Sequence, residues 1–288
     1  MKPTASVVIP CYNSAETLMD QLDQLLPQIA DAGAELILVD NNSTDDTARL
    51  IQRIAGRRNV TAVRATAGQS VAYARNAGVC SARSDRLLFC DADDIVSDNW
   101  VRTLVDSLDT HNIVTGTLDP TALNSPDIST SRGTQRTPSG SLVSFYGLFP
   151  VAHGGNMAVT RKAWDDIGPL DESLSSIEDM EWSLRAMLCG HPIVHAPGAT
   201  IGYRYRTQAR DLWRQGFHYG RYRPVVAQMT YRQLGTRPRR LAGIRSWVWL
   251  ACHLGGLRSA GGRAKLAWVA GNRFGNLVGS VRTRFLLL

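Results

Sequence analysis

Several kinds of signal are missing from this 288-residue sequence, and each absence excludes a class of protein. The five cysteines are scattered and never form a CxxC pair, so neither a zinc site nor a disulfide framework is indicated. No run of about 18–20 apolar residues occurs, which argues against a membrane-spanning helix. The N-terminal apolar run is too short for a signal peptide. A reducing, cytoplasmic location is therefore expected.

Acidic residues are almost absent from the last third of the chain. From residue 201 onward there are sixteen arginines and one lysine against a single acid, Asp211, whereas acids outnumber bases in the first 200 residues. Strongly basic regions bind anions such as nucleic acid, anionic lipid or phosphorylated substrates. We expect two domains with different tasks, residues 1–205 and a basic, Trp-containing helical region over 206–288.

Short apolar runs alternate with helical patterns over the first 116 residues. Runs such as ELILVD (35–40) and DRLLFC (85–90) predict strands, and apolar residues three or four positions apart predict the helices between them. This alternation predicts an α/β fold with a mostly parallel, Rossmann-like sheet covered by helices on both faces. Residues 117–140, rich in Ser, Thr, Pro and Gly, predict a long loop.

Polar side chains stand where the first, second and fourth predicted strands end, which is where such sheets bind ligands. Pro10 and Tyr12 follow the first strand, Asp40 and Asn41 end the second, and the segment DADD (91–94) follows the fourth. The Tyr12 ring is suited to stacking on a base, and Asp40 could accept a hydrogen bond from a pyrimidine or a ribose, with Asn41 beside it. Helix capping is the alternative for the second strand end.

The acids of the DADD segment are costly to hold together without a cation. Asp91 and Asp93 can both approach one divalent ion, and carboxylate oxygens suit Mg²⁺ or Mn²⁺. Such an ion would neutralise a diphosphate leaving group. Arg75, on the next predicted helix upstream, could reach a base carbonyl or a phosphate, or else form a salt bridge with a strand-end aspartate.

Two further motifs lie beyond the long loop predicted over residues 117–140. Glu178 and Asp179 open a helix, where the helix field favours acids and is expected to lower their pKa. A carboxylate held ionised in a cleft can take a proton from an attacking hydroxyl; capping is the alternative. Gly154 and Gly155 would let the backbone approach a sugar, with Asn156 reading hydroxyls, unless they form a simple tight turn.

Taken in order, these motifs resemble the family 2 glycosyltransferases of the GT-A fold. The segments that carry the resemblance span roughly residues 5–205 and are SVVIPCYN (6–13), VDNNSTDDT (39–47), GQSVAYARNAG (68–78), DADD (91–94), GGNMAVTR (154–161) and EDMEWSLRAMLCGHPIVHAP (178–197). The resemblance implies an inverting transfer of a hexosyl or N-acetylhexosaminyl group from a nucleotide-diphospho-sugar, UDP-linked donors being favoured. The acceptor hydroxyl would belong to a lipid-linked molecule, a glycan or a small molecule.

The resemblance also implies a role for each candidate residue. Nucleotide binding falls to Pro10, Tyr12, Asp40, Asn41, Arg75 and Asp91, metal binding to Asp91 and Asp93, and acceptor or sugar binding to Gly154, Gly155, Asn156 and Asp94. Asp179, with Glu178 beside it, would be the general base. Many members have a histidine two strands after the helix that Glu178 opens, where this sequence has Tyr203-Arg204. Arg204 or Arg206 would then bind the diphosphate.

Other functions remain open at this level. A nucleotidyltransferase on a similar sheet normally carries a glycine-rich, basic phosphate loop after the first strand, and CYNSAETL (11–18) has neither feature. An anion- or nucleic-acid-binding protein, or an inactive transferase relic, would leave the DADD and Glu178-Asp179 acids without a purpose. No specific nucleic acid is expected, since no known recognition module occurs. Tryptophans among the arginines predict either a surface on an anionic membrane, at its inner face, or an inward-packed helical subdomain.

Overall fold

The structure, a computed structural model, describes residues 2–132, 142–236 and 243–287. Within these ranges the chain forms two units, one of residues 2–119 and 142–203, the other of residues 120–132 and 204–287. Part of the loop predicted over 117–140 lies outside the described residues. Its described part, 120–132, contains a short helix and packs with the C-terminal helices, an association that the composition of the segment does not reveal.

The first unit is built on one large mixed sheet. In chain order the described strands are β1 (Ser6–Cys11), β2 (Glu35–Asp40), β3 (Val60–Arg64), β4 (Arg86–Cys90), β5 (Ile95–Val96), β6 (Ile113–Asp119), β7 (Ser144–Phe145), β8 (Phe149–Pro150), β9 (Asn156–Thr160) and β10 (Ile193–Gly202). Eight of them form the sheet, in the order β3-β2-β1-β4-β9-β6-β10-β5. β9 runs antiparallel to β4 and β6, and β5 antiparallel to β10, while the remaining neighbours are parallel. The predicted α/β fold with a mostly parallel sheet is confirmed.

Helices cover both faces of this sheet. The described helices are α1 (Leu18–Ala32), α2 (Thr47–Ile54), α3 (Val71–Ser81), α4 (Trp100–Ser107), α5 (Pro126–Ser129), α6 (Arg161–Ile167), α7 (Glu178–Leu188), α8 (Ala209–Leu234), α9 (Ile244–Cys252), the 3₁₀ helix Leu254–Arg258 and α10 (Ala260–Thr283). The leucines of α1 recur every three or four residues and pack with α4 on one face. Residues of α3, α6 and α7, including Trp164 and Trp182, cover the other. All six residues of β2 are buried, as two covered faces require.

One predicted boundary differs. The sequence from 192 to 205 suggests two short strands, but Ile193–Gly202 is a single strand paired with β6. Its register shifts between His195 and Thr200, around Pro197-Gly198. Because proline donates no backbone hydrogen bond and glycine tolerates the distortion, the strand bulges there and continues.

The second unit is centred on a close pair of long helices, α8 and α10. Glycines recur every fourth residue on both, at 216 and 220 on α8 and at 271, 275 and 279 on α10. A Cβ atom at Gly275 would collide with the Phe217 carbonyl oxygen, so the two backbones touch because side chains are missing there. In the described part of the chain, no helix is long and apolar enough to cross a membrane.

The tryptophans of this unit, for which either a membrane surface or inward packing was predicted, are divided between its interior and its surface. Trp268 of α10 is buried, and the Arg132 guanidinium lies 4.2 Å from its ring centre and 4.6 Å from that of Tyr205. Such cation–π contacts explain how segment 120–132 joins the unit. Trp247 and Trp249 of α9 are only half-buried.

Candidate active site

The carboxyl ends of β1, β2 and β4 lie side by side because these strands are neighbours in the sheet. Cys11 pairs with Asp40, and the Asn41 N–H donates to the Cys11 carbonyl at 2.9 Å. β1 ends at Cys11 and therefore includes Pro10, which was expected to follow the strand. Tyr12 follows with half of its surface exposed (52%), so its ring is available for stacking.

The loop after β2 is held by its own polar side chains. Asp40 is 3% exposed, and its Oδ1 accepts from the Ser43 N–H at 3.2 Å. The Asn41 amide nitrogen donates to the Ala65 carbonyl at 2.8 Å and the Gly68 carbonyl at 2.7 Å. Asn41 therefore directs its amide donor into the protein and braces the loop after β3. This is not the helix capping that was the alternative for this strand end, since the N-cap of α2 is Asp46.

Arg75 of α3 is the centre of a buried ion network. Its side chain is 3% exposed, and its guanidinium donates to Asp91 Oδ1 and to Glu178 Oε1, both at 2.7 Å. Burial opposes the charge, but Asp91, Glu178 and Asp179 outweigh it and raise the pKa of Arg75. The salt bridge considered for Arg75 is present, and it ties the end of β4 to the start of α7.

Gly154 and Gly155 make room for this network. A Cβ atom at Gly154 would stand 2.5 Å from Arg75 Nη1, and one at Gly155 would collide with Asp91 Oδ2. Because both residues lack a side chain, the backbone can pass close to Arg75 and Asp91. From the sequence, the backbone was expected to lie close to a sugar instead. The Gly154 N–H also donates to Asp179 Oδ2 at 3.1 Å.

The first turn of α7 presents Asp179 and hides Glu178. Asp179 is partly exposed, with Oδ1 accepting from the Met180 N–H at 2.8 Å. The preceding residue, Ile177, has a φ of 55°, which is a strained conformation for a β-branched side chain. Strain of this kind costs about 1–3 kcal/mol and is concentrated at functional sites. Here it sets the direction in which the two acids leave the backbone.

The pKa of Glu178 is raised, whereas the helix field was expected to lower it. Burial, and then the neighbouring Asp179 charge, raise the pKa of Glu178 to about 7, while Arg75 opposes the rise. With its side chain only 6% exposed and bonded to Arg75, Glu178 is a buried anchor. The predicted catalytic pair is therefore reduced to one accessible carboxylate, that of Asp179.

Two side chains at the start of α1, its N-cap Thr17 and Gln21, fix the DADD loop, and neither was predicted from the sequence. The Thr17 hydroxyl donates to the Ala92 carbonyl at 3.1 Å, and the Gln21 amide donates to the Asp91 carbonyl at 3.2 Å. Gln21 is fully buried and also accepts from the Val96 N–H at 2.9 Å. A glutamine on the leucine-lined face of a helix was the signal that could have revealed this role.

The acids of DADD separate into two groups. Asp91 keeps 29% of its side chain exposed and Asp93 is half-buried, whereas Asp94 is fully buried. Contact between Asp94 and an acceptor, as predicted, is incompatible with that burial. In the described residues no three His, Cys, Asp or Glu side chains gather as a metal site.

The predicted metal site depends on the carboxylate oxygens of Asp91 and Asp93, the two DADD acids that are not fully buried. Asp91 turns Oδ1 to Arg75 and Oδ2 toward the Gly155 backbone. Carboxylate oxygens are the donors that Mg²⁺ and Mn²⁺ favour, and these ions commonly complete their coordination with substrate phosphates. Asp91 and Asp93 supply oxygens of this kind, and their binding of a divalent ion that arrives with a diphosphate stays a prediction.

Asn156 is a support residue and not a reader of hydroxyls. It is fully buried at the start of β9, where its Oδ1 accepts from Trp100 Nε1 at 2.9 Å. Its Nδ2 donates to the Thr117 and Ala199 carbonyls, both at 3.0 Å. The amide is thus occupied by three bonds inside the sheet, which corrects the predicted sugar contact. Arg204 and Arg206 belong to the second unit, and their contact with a diphosphate stays a prediction.

Residues 6–168 match the family described as Glycosyl transferase family 2. Succinoglycan biosynthesis protein ExoA of Rhizobium meliloti (strain 1021) is 26% identical over 229 residues, which cover 75% of this chain and 68% of that protein. The matched range contains every strand-end residue described above as well as Gly154–Asn156.

Two solved structures show the same fold. Mannosyltransferase PcManGT from Pyrobaculum calidifontis, in complex with GDP-Man and Mn²⁺, has a TM-score of 0.62 at 18% identity and covers 96% of this chain and 88% of its own. S. aureus TarS 1-349 in complex with UDP has a TM-score of 0.56 at 17% identity, covering 99% and 92%. At these identities the likeness establishes the architecture alone.

Proposed function

Because the chain belongs to glycosyl transferase family 2, we propose that it moves a sugar from a nucleotide-diphospho-sugar to an acceptor hydroxyl with inversion at the anomeric carbon. The predicted family and its GT-A fold are confirmed by the family match and the two solved transferases. The observation that carries the proposal is the placement of one accessible carboxylate, Asp179, next to Glu178, which Arg75 links to Asp91.

Donor binding is assigned to the ends of β1, β2 and β4. Tyr12 would stack on the base, and Asp40 would accept a hydrogen bond from the base or the ribose. Asp91 and Asp93 would hold a divalent ion, Mn²⁺ or Mg²⁺, which when bound neutralises charge on the diphosphate. The Mn²⁺ and nucleotides in the solved relatives support this assignment. We favour a UDP-linked hexose or N-acetylhexosamine as donor.

Asp179 would act as the general base. Its carboxylate takes the proton of the acceptor hydroxyl as the acceptor oxygen bonds to the anomeric carbon, and the bond from that carbon to the diphosphate oxygen breaks. The Gly154 and Met180 N–H groups fix both carboxylate oxygens. Arg75 holds Glu178 and Asp91 in place, so the base and the donor site keep a constant geometry.

A thermal-unfolding screen tests the proposal. UDP, GDP, TDP and CDP would each be added with and without Mn²⁺, since a ligand at a hundredfold excess over its Kd raises stability by about 2.7 kcal/mol. We expect one nucleotide to raise the Tm in a Mn²⁺-dependent manner, with the shift lost in Asp93→Asn. Asp106→Asn, an exposed acid on α4, is the matched control and should keep the shift. No shift with any nucleotide would contradict the proposal.

A further inference from the structure

The segment from α9 through the 3₁₀ helix, residues 244–257, has no buried side chain although it is rich in apolar residues. Four large aliphatic side chains are exposed by about half: Ile244 (43%), Val248 (59%), Leu254 (60%) and Leu257 (56%). Water contact with this much aliphatic surface is unfavourable. Soluble surfaces that leave such patches open commonly use them for binding.

This exposure is not a consequence of a missing core. In the same unit Trp268 is buried under Arg132, and the α8–α10 pair is tightly packed. α9 touches this body through its two tryptophans: Trp247 meets Phe274 with ring centres 5.3 Å apart, and Lys265 Nζ lies 5.2 Å from the Trp249 ring centre. Ile244 and Val248, four residues apart, therefore share an outer face.

The charge of the surrounding sequence selects the partner. Arg245 and Arg258 stand at the two ends of the exposed segment, and the unit's sequence from residue 204 onward contains one acid, Asp211, among seventeen basic residues. A single-stranded nucleic acid would use the arginines and stack its bases on aromatic rings, but it gains little from exposed aliphatic side chains. An anionic bilayer engages both groups, since its phosphates attract arginine and its acyl boundary accepts aliphatic side chains.

We propose that residues 244–257 dock on an anionic lipid bilayer, with α9 lying along the surface and Ile244, Val248, Leu254 and Leu257 entering the headgroup boundary. The inference does not depend on the donor chemistry, because it concerns the second unit alone. It would hold the protein at a membrane whatever nucleotide it binds.

Vesicle sedimentation with the full chain tests this. The probes are sucrose-loaded vesicles of phosphatidylcholine, alone or with about one third phosphatidylglycerol, at low and high salt. We expect binding only to the anionic vesicles and a weaker association at high salt. Val248→Asp should lower the partition constant about tenfold, because it replaces an inserted apolar group with a charge that the lipid repels.

A matched variant separates insertion from simple charge attraction. Val281→Asp adds the same charge at another exposed position, on α10 (78% exposed), outside the docking segment. It should keep most of the binding, and both variants should unfold at the Tm of the wild type. Equal loss in the two variants, or no binding to anionic vesicles at low salt, overturns the proposal. Preference for a single-stranded RNA probe that Val248→Asp leaves unchanged overturns it as well.

Discussion

Replacing Arg75 with methionine removes the cation at the centre of the site while keeping an unbranched side chain of similar length. Two hydrogen bonds of 2.7 Å would be lost, and the carboxylates of Asp91 and Glu178 would be left without their shared partner. Breaking a buried ion pair in this way costs about 3–5 kcal/mol. That is a large share of the total free energy of unfolding of a domain, which is roughly 5–15 kcal/mol.

The penalty should depend on pH with a defined sign. Arg75 lowers the pKa of Glu178, so in the variant that pKa lies above its value of about 7. At pH near 6 Glu178 would be protonated and its unpaired charge removed, whereas near pH 8 the charge would cost more. The loss of stability should therefore be greater at the higher pH. Adding Glu178→Gln to the variant should recover part of it.

Urea unfolding followed by circular dichroism measures these differences. Arg102→Met is the matched control, because Arg102 pairs with Asp106 at 3.7 Å on the exposed side of α4. Surface pairs of this kind contribute about 0–1 kcal/mol. If Arg75→Met costs no more than the control, the reasoning about the buried network is refuted.

Three further substitutions test other parts of the structure. Glu178→Gln removes a carboxyl group whose pKa is raised from 4.5 to about 7 in the folded protein, and such a group contributes stability that is complete below pH 4.5 and lost as pH rises through 7. The wild type should therefore lose stability relative to the variant between about pH 5 and 8. Equal slopes of unfolding free energy against pH in urea unfolding would contradict this. Gly275→Ala should destabilise the second unit by about 3 kcal/mol because its methyl group meets the Phe217 backbone, whereas Gly255→Ala, with open space around it, should be nearly neutral in thermal unfolding. Asn156→Ala should cost about 3 kcal/mol in urea unfolding, because it leaves three buried groups without their hydrogen-bond partner. A loss below roughly 1 kcal/mol would show that water replaces the lost hydrogen bonds.

Much of the site could be predicted because it lies where local sequence signals are strong. Strand ends were marked by a change from apolar to polar residues, so the sequence placed Tyr12, Asp40 and Asp91 at strand ends, and these ends are neighbours in the sheet. The roles that were missed or misjudged depend on contacts between distant residues. Arg75 and Glu178 are 103 positions apart, and no pattern within either motif indicates that they pair.

Burial of polar side chains was also not predictable from the sequence. Asn156 and Asp94 belong to motifs that read as ligand contacts, yet both are fully buried in the folded chain. Polar residues beside glycines serve equally as internal hydrogen-bonding groups, and only the three-dimensional packing separates the two cases. The joining of 120–132 to the C-terminal helices was hidden for the same reason, since it depends on Arg132 meeting Trp268.

Donor turnover and nucleotide affinity, measured together on Asp179→Asn, test the central claim most directly. With the nucleotide-sugar that the Tm screen selects, we expect release of the nucleoside diphosphate to fall by about 10²–10⁴-fold, the usual contribution of a general base. The Kd of the nucleotide, measured by calorimetry, should change little, because the proposal assigns Asp179 to the acceptor and not to the nucleotide. Undiminished turnover, or loss of nucleotide binding in a folded variant, would contradict the account.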